Sequence, residues 1–452
     1  MSEVSPVSEV VTKETVSVPW YQALGRKQWY TLIAANLGWM FDGYETYALI
    51  LTVGLAVKQL LTTAHLAEIP FYAGLIIAIT LLGWGIGGIL GGILADYIGR
   101  RKAMMISILA YSITTGLSAF SWSLASLVIF RFIVGLCIGS EWGTGTAIMA
   151  EVWPDNARAK GAGLMQSGLG IGFFIASAVW YFMSGMGPNA WRIMFLIGVL
   201  PALATLWVRK SVDESKLWDN ANKIRKEASA KSKRGETLNE EEQHYTKFTL
   251  SELFSDRKLR RLTILGSLMS LTTTVGWWGI STWVPSYVAS IAAQHQFSAA
   301  QWASLAGMIY NVGAIGGYIL LGFLADSIGR KTTTILYFFL SLVLTPILFL
   351  FTHNLYTILI FTLINGIFTL GQYTWMPVWL PECFPTRIRG TAVAFVFNAA
   401  RFVAFLGPLC SGLIISKLGG YGIAATVVGL IYLLGFVVAF FYPETKGQQL
   451  PE

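Results

Sequence analysis

Residues 92–102 read Gly92-Ile-Leu-Ala-Asp-Tyr-Ile-Gly-Arg-Arg-Lys102, and residues 322–331 read Gly322-Phe-Leu-Ala-Asp-Ser-Ile-Gly-Arg-Lys331. Shifting the second half back by 230 positions aligns Gly83, Gly87, Gly92, Leu94, Ala95, Asp96, Ile98, Gly99 and Arg100 with Gly313, Gly317, Gly322, Leu324, Ala325, Asp326, Ile328, Gly329 and Arg330. A shift of 231 aligns Glu151 with Glu382 and Arg158 with Arg389. Chance does not produce such agreement, so the chain is a duplication. The flanks of the repeated loop say what was duplicated. Phe71 to Ala95, Met104 to Phe130 and Thr332 to Thr352 carry no charge, and each reaches the ~20 residues that a helix needs to cross a hydrocarbon layer.

The whole chain agrees. Of its 452 residues 54% are hydrophobic and 12% charged, with a mean hydropathy of +0.59, where soluble domains carry roughly a quarter charged residues. A soluble enzyme is excluded on these grounds. Twelve spans are predicted near residues 28–53, 71–94, 103–121, 124–147, 160–183, 191–208, 262–291, 300–323, 333–352, 355–379, 391–415 and 421–442. The expected fold is an all-α membrane protein of two pseudo-symmetric six-helix bundles, at 28–208 and 262–442, moving against each other about a midplane site. A tail of residues 1–27 precedes them, a tail of 443–452 follows, and a linker of 209–261 with 14 Lys and Arg joins them.

The net charge of +8 does not point to nucleic acid, because 27 of the 32 Lys and Arg fall in loops and tails on one side, three on the other and two within spans. That asymmetry places both termini in the cytoplasm. The polar first nineteen residues carry no apolar signal core, so the first helix is expected to be an uncleaved anchor. The linker reads as a solvated connector, partly amphipathic helix. Cys137, Cys383 and Cys410 form no C-x-x-C pair, and His65, His244, His295 and His353 fall in predicted loops. Neither a metal nor a cofactor is expected. No Asn-x-Ser/Thr sequon occurs, in keeping with a bacterial inner membrane. Gly83-x-Gly-x-x-Gly88 matches a dinucleotide fingerprint only formally, since it lies inside a span with no strand before it.

The repeated loop motif resembles that of the major facilitator superfamily. Val212-Asp-Glu-Ser-Lys-Leu-Trp218, Pro381-Glu-Cys-Phe-Pro-Thr-Arg-Ile-Arg-Gly390 and Pro443-Glu-Thr-Lys-Gly447 are similar to loop motifs of its sugar-porter and organic-ion branches. The resemblance covers nearly the whole chain and implies the major facilitator fold and transport by alternating access. Gly92, Asp96, Arg100, Glu151, Arg158, Asp326, Arg330, Glu382 and Arg389 are then expected to form a cytoplasmic gate that holds the outward-open state. Small residues let two helices approach, and the Asp pairs with a base or caps a helix.

Three charges inside spans, Asp42, Arg131 and Arg401, each cost ~2.5–3.5 kcal/mol to insert and need partners or a function. Asp42-Gly-Tyr-Glu45 resembles the Asp-Gly-x-Asp signature of the aromatic acid:proton symporters, with Glu45 for the second Asp. Three residues apart, the two acids share a helical face. Arg131, in the helix-four arginine motif, is expected at their depth, so Asp42, Glu45 and Arg131 are assigned to proton coupling. A purely structural Asp42–Arg131 pair is the plainer alternative. Glu141, further along the same helix, is a candidate for the inner gate.

Arg401 has the charge-free Gly170 as its counterpart in the repeat, so it departs from the duplication as a substrate-specific residue would. An Asn-x-x-Arg at this helix resembles carboxylate-transporting relatives, and guanidinium can clamp an anion bidentately. Arg401 and Asn398, with Trp278 and Tyr373 as stacking surfaces, are therefore the expected substrate site. The expected function is proton-coupled symport of a small organic anion, a carboxylate, aromatic ones included, by a monomer whose other partners are protons and membrane lipid. The alternative is a sugar porter. Against it, helix seven reads Thr272-Thr-Thr-Val-Gly-Trp-Trp278 without the Gln-Gln pair of sugar porters, and a buried Arg401 suits no neutral sugar.

Overall fold

A computed structural model describes residues 19–22, 24–61, 68–200, 207, 211–352 and 354–451. His65, His353, most of the amino-terminal tail and much of the second part of the sixth expected span lie outside them. The described residues form helices and no strand. The first half contains α1 (Arg26–Leu60), α2 (Ile69–Ile98), α3 (Arg100–Ser118), α4 (Leu124–Val152), α5 (Arg158–Met183) and α6 (Ala190–Ile197). The linker contributes α7 (Lys216–Lys233), α8 (Glu240–Thr246) and α9 (Thr249–Ser255). In the second half come α10 (Arg257–Gly279), α11 (Val284–Gln294), α12 (Ala299–Ile328), α13 (Arg330–Pro346), α14 (Leu355–Thr369) and α15 (Trp375–Trp379). They are followed by α16 (Arg389–Ala399), α17 (Arg401–Ala404), α18 (Leu406–Lys417), α19 (Tyr421–Gly429) and α20 (Ile431–Ala439). By length and composition, eight helical segments among the described residues can cross a membrane.

Two sequence features shape these helices. Bare backbone lets them touch. A Cβ on Gly87 of α2 would lie 1.9 Å from the Leu136 carbonyl of α4, and one on Gly135 of α4 would lie 2.2 Å from the Thr80 carbonyl of α2. The repeat copies this contact, with Gly317 of α12 at 2.0 Å from the Ile367 carbonyl of α14 and Gly366 at 2.3 Å from that of Tyr310. Proline, in contrast, interrupts spans in the second half, while in the first half Pro70 stands in the opening turn of α2. Pro285 follows a break at Ile280 and the 3-10 turn Ser281–Trp283, Pro377 follows the turn Gly371–Thr374, and Pro408 follows the α17–α18 junction at Phe405. A proline withdraws the N–H that would bond four residues back and clashes with that carbonyl, so the helix yields just upstream. The first half has Leu55, Thr146 and Ser177 at the corresponding positions, and α1, α4 and α5 run unbroken.

The halves pack through the glycines of the repeat. A Cβ on Gly92 would meet the Gly390 carbonyl at 2.7 Å, and one on Gly322 would meet that of Ala159 at 2.5 Å. Near the opposite ends of α2 and α18, Gly74 seats against the Pro408 carbonyl at 2.6 Å by the same measure. The linker is not merely a solvated connector. Trp218 Nε1 donates to the Asp96 carbonyl at 3.0 Å, and Arg225 donates to the carbonyls of Asp96 at 2.5 Å and Arg387 at 2.7 Å. His244 lies on α8 and not in a loop, its Nδ1 3.0 Å from Glu252. The end of the molecule covered by these contacts is the linker end, and the other is the far end.

Candidate functional site

At the linker end, eight charged gate residues join across the halves. Asp96 accepts from Arg100 at 2.6 Å and from the Gly390 and Thr391 N–H groups at 3.1 and 2.8 Å, so it caps the start of α16 in the other half. A carboxylate there satisfies amides left free by the first turn and meets the positive end of the helix dipole. Glu151 accepts from Arg100 and Arg389, both at 3.1 Å, and ties its own half to the second. In the second half, Arg330 bonds Glu382 at 2.8 Å and Asp326 at 3.0 Å, and Asp326 takes Lys160 of the first half at 2.5 Å. Arg158 pairs with Asp155 and lies 3.8 Å from Glu382. The repeat is imperfect here, since Asp96 caps a helix where Asp326 takes a lysine.

Two members of this network are missing from the gate as read from the sequence. Glu214 accepts the N–H groups of Arg100 and Arg101 at 3.0 and 3.2 Å, and Glu444 accepts those of Arg330 and Lys331, both at 3.0 Å. They stand 230 residues apart, the offset of the repeat itself, which is the signal that finds them. Gly99 and Gly329 precede the capped helices at φ of 106° and 98°, a conformation open only to glycine, and a Cβ on either would strike the capping carboxylate at 2.4 or 2.6 Å. Burial pushes the Glu214 carboxyl above the usual range despite its N–H partners. At Glu444 burial also opposes ionisation, but the N–H groups of Lys446, Arg330, Lys331 and Thr445 win and hold it below that range.

Midway along α1 and α4 lies the second cluster. Arg131 pairs with Glu45 and not with Asp42; its Nε donates to Ser118 at 3.2 Å, and its guanidinium carbon sits 4.2 Å from the centre of the Phe195 ring. Glu45 lies one turn beyond Asp42 toward the far end, and Arg131 is seven residues from the far end of α4, which brings these two to a common depth. Asp42 faces Glu141 instead. Glu141 thus belongs to this cluster and not to the gate.

The third cluster surrounds Arg401. It is 2% exposed, its guanidinium carbon lies 4.4 Å from the Trp84 ring and 4.2 Å from that of Phe397, and one nitrogen donates to the Phe397 carbonyl at 2.8 Å. No carboxylate pairs with it among the described residues. Asn398 is wholly buried, with Nδ2 bound to the Ala394 carbonyl at 2.8 Å and Oδ1 accepting nothing from the described residues. Phe397 stacks on Trp142 at 3.6 Å and 18°, and Tyr373 stands edge-on to Phe397 at 6.4 Å and to Trp277 at 6.5 Å. Trp278 lines both a far-end cavity of about 210 Å³ and a space of about 10 Å³ beside Glu45 and Arg131. It is part of the wall between them. The smaller space is too tight for an organic solute.

Duplicated helical halves, closed on each other by paired charges and enclosing buried titratable groups, are the arrangement of a membrane transporter. The chain belongs to the sugar (and other) transporter family of the major facilitator superfamily, whose family profile matches residues 30–452. It is 28% identical over 435 residues to a probable 4-methylmuconolactone transporter of Cupriavidus pinatubonensis, covering 95% of this chain and 93% of that protein. It is 29% identical over 377 residues to a cis,cis-muconate transport protein of Acinetobacter baylyi, covering 83% and 86%. The fold matches the solved proton:xylose symporter XylE at a TM-score of 0.75 and 23% identity, over 94% of this chain and 98% of that one.

Proposed function

We propose that this transporter imports a small organic anion, a carboxylate with aromatic acids included, together with protons. The observation that carries the reading is Arg401, a buried guanidinium framed by two aromatic rings and unpaired with any described carboxylate. A cation left so in the bilayer is costly unless an anion completes it. A planar carboxylate matches its fork of donors, the orphaned Nε among them, and an apolar or aromatic body matches the surrounding rings. Relatives named for muconate and 4-methylmuconolactone accord with an organic acid.

In this reading twelve spans cross a bacterial inner membrane, with the linker end and both termini in the cytoplasm. The nine gate residues latch the cytoplasmic side while the far end opens, and Asp42, Glu45 and Arg131 couple the motion to protons. Arg401→Ala should abolish the thermal shift given by benzoate and by cis,cis-muconate, and Arg401→Lys should weaken it, because an ammonium lacks the planar fork. Hexoses should give no shift in the unmodified protein. Binding by the alanine variant at the original affinity removes the clamp from the account.

A further inference from the structure

The Glu45–Arg131 pair leaves two acids of its cluster without a cation. Asp42 is wholly buried and Glu141 is 1% exposed, and their carboxyls face each other within hydrogen-bonding reach. None of the four oxygens accepts a hydrogen bond from a donor among the described residues. Bare backbone makes the berth: a Cβ on Gly38, one turn before Asp42, would lie 2.0 Å from Glu141 Oε1. Tyr111 of α3, fully buried with an unpartnered hydroxyl, lies within the electrostatic reach of Asp42, Glu141 and Glu45.

Among the described residues no cation meets the pair, and the further charge that reaches it is Glu45, an acid already held by Arg131. The charged residues of α2, α5 and α6 are Asp96, Arg158, Lys160 and Arg192, which occupy the ends of those helices or are already engaged there. Arg131 is held by Glu45, and the electrostatic neighbour of Arg401 is Tyr373.

Ionised carboxylates only accept hydrogen bonds, so two in contact in a dry interior repel each other and satisfy nothing. One proton between them turns the repulsion into a charge-assisted O–H···O bond. We infer that Asp42 and Glu141 form a carboxyl–carboxylate dyad that carries the transported proton, with the Tyr111 hydroxyl placed to turn toward an oxygen the proton leaves free. The inference rests on the transport reading and, within the coupling group of Asp42, Glu45 and Arg131, moves the proton from the acid paired with Arg131 to Asp42 and Glu141. Along α1 the dyad lies ~4.5 Å nearer the linker end than Glu45, three residues at 1.5 Å each. A proton from the far side reaches it past the Glu45–Arg131 pair. It leaves toward the linker end when the halves part there, water solvates the acids, and each ionises separately.

Infrared spectroscopy of the full-length protein in lipid near neutral pH tests this without a substrate. A carbonyl stretch of a buried protonated carboxyl is expected, shifted in frequency in Asp42→Asn and in Glu141→Gln alike because the carboxyl–carboxylate hydrogen bond is gone, and unmoved in Glu45→Asp, which retains the ion pair. Circular dichroism shows whether each variant is folded. Absence of the band from the unmodified protein, or its survival at an unshifted frequency in either folded dyad variant, overturns the dyad. In proteoliposomes, both variants should lose accumulation of labelled benzoate or cis,cis-muconate under a proton gradient but keep exchange. Retained accumulation in either also overturns it. If the unmodified protein moves neither acid, the proposed substrate class fails while the infrared result still decides the dyad.

Discussion

At the scale of single residues, what matters is which partner a charge finds. Asp42 and Glu45 are both within reach of a cation on α4 when read from the sequence, yet one turn of helix gives Arg131 to Glu45 and leaves Asp42 with Glu141. A similar economy governs Glu444, whose cap over α13 is possible because Gly329 has no Cβ. Gly329→Ala forces an alanine into a glycine-only conformation and against a carboxylate, and should destabilise the protein by about 1–3 kcal/mol, read as a lowered thermal transition in detergent. The pH dependence has a definite sign. With its carboxyl held below the usual range, Glu444 stabilises the fold above its unfolded value of ~4.3, and that contribution disappears as pH falls through the folded value. Glu444→Gln should therefore flatten the acid limb of the stability profile. An unchanged acid limb would show that the cap does not depend on charge.

Among elements, glycine and proline decide contact and continuity. Gly87 of α2 and Gly317 of α12 hold equivalent places in the repeat, and a methyl group at either would press on a carbonyl that cannot move without the whole helix. Gly87→Ala and Gly317→Ala should each cut the yield of folded protein by size-exclusion chromatography. Gly54→Ala in α1, where a Cβ meets nothing within 4 Å, should be neutral or stabilising by up to about 1 kcal/mol. A normal yield for both of the first two would mean that close helix approach does not limit assembly. The prolines make the second half the irregular one. Trp278, Tyr373 and Arg401 all lie within a few residues of a break that a proline imposes, so the expected substrate site occupies the less regular half.

For the whole molecule, the question is what holds the linker end shut. Asp96 and Glu151 each touch both halves, and α7 adds Trp218 and Arg225 over the same carbonyl. Asp96→Asn removes the charge that pairs with Arg100 and caps α16, and breaking a buried pair from one side costs ~3–5 kcal/mol. The population should shift toward a form open at the linker end. In a background where Cys137 and Cys410 are serine, Cys383 should then react faster with a thiol reagent, and an unchanged rate would take the latch out of the mechanism.

By itself, the sequence determined the membrane character, the duplication and the positions of the charges, because these follow from composition, period and self-similarity along the chain. The offset of 230 even held the pair Glu214 and Glu444, though only once both are seen capping equivalent helices. The tertiary structure decided the partners. Whether Arg131 meets Asp42 or Glu45, whether Glu141 serves the gate or the buried cluster, and whether the linker is solvated or seated on the gate depend on depth, rotation and the approach of helices distant in sequence. Hydrophobic periodicity fixes which face of a helix turns inward but not which inward charge stands opposite it, and in a low-dielectric interior a single turn of helix separates an ion pair from two acids that share a proton.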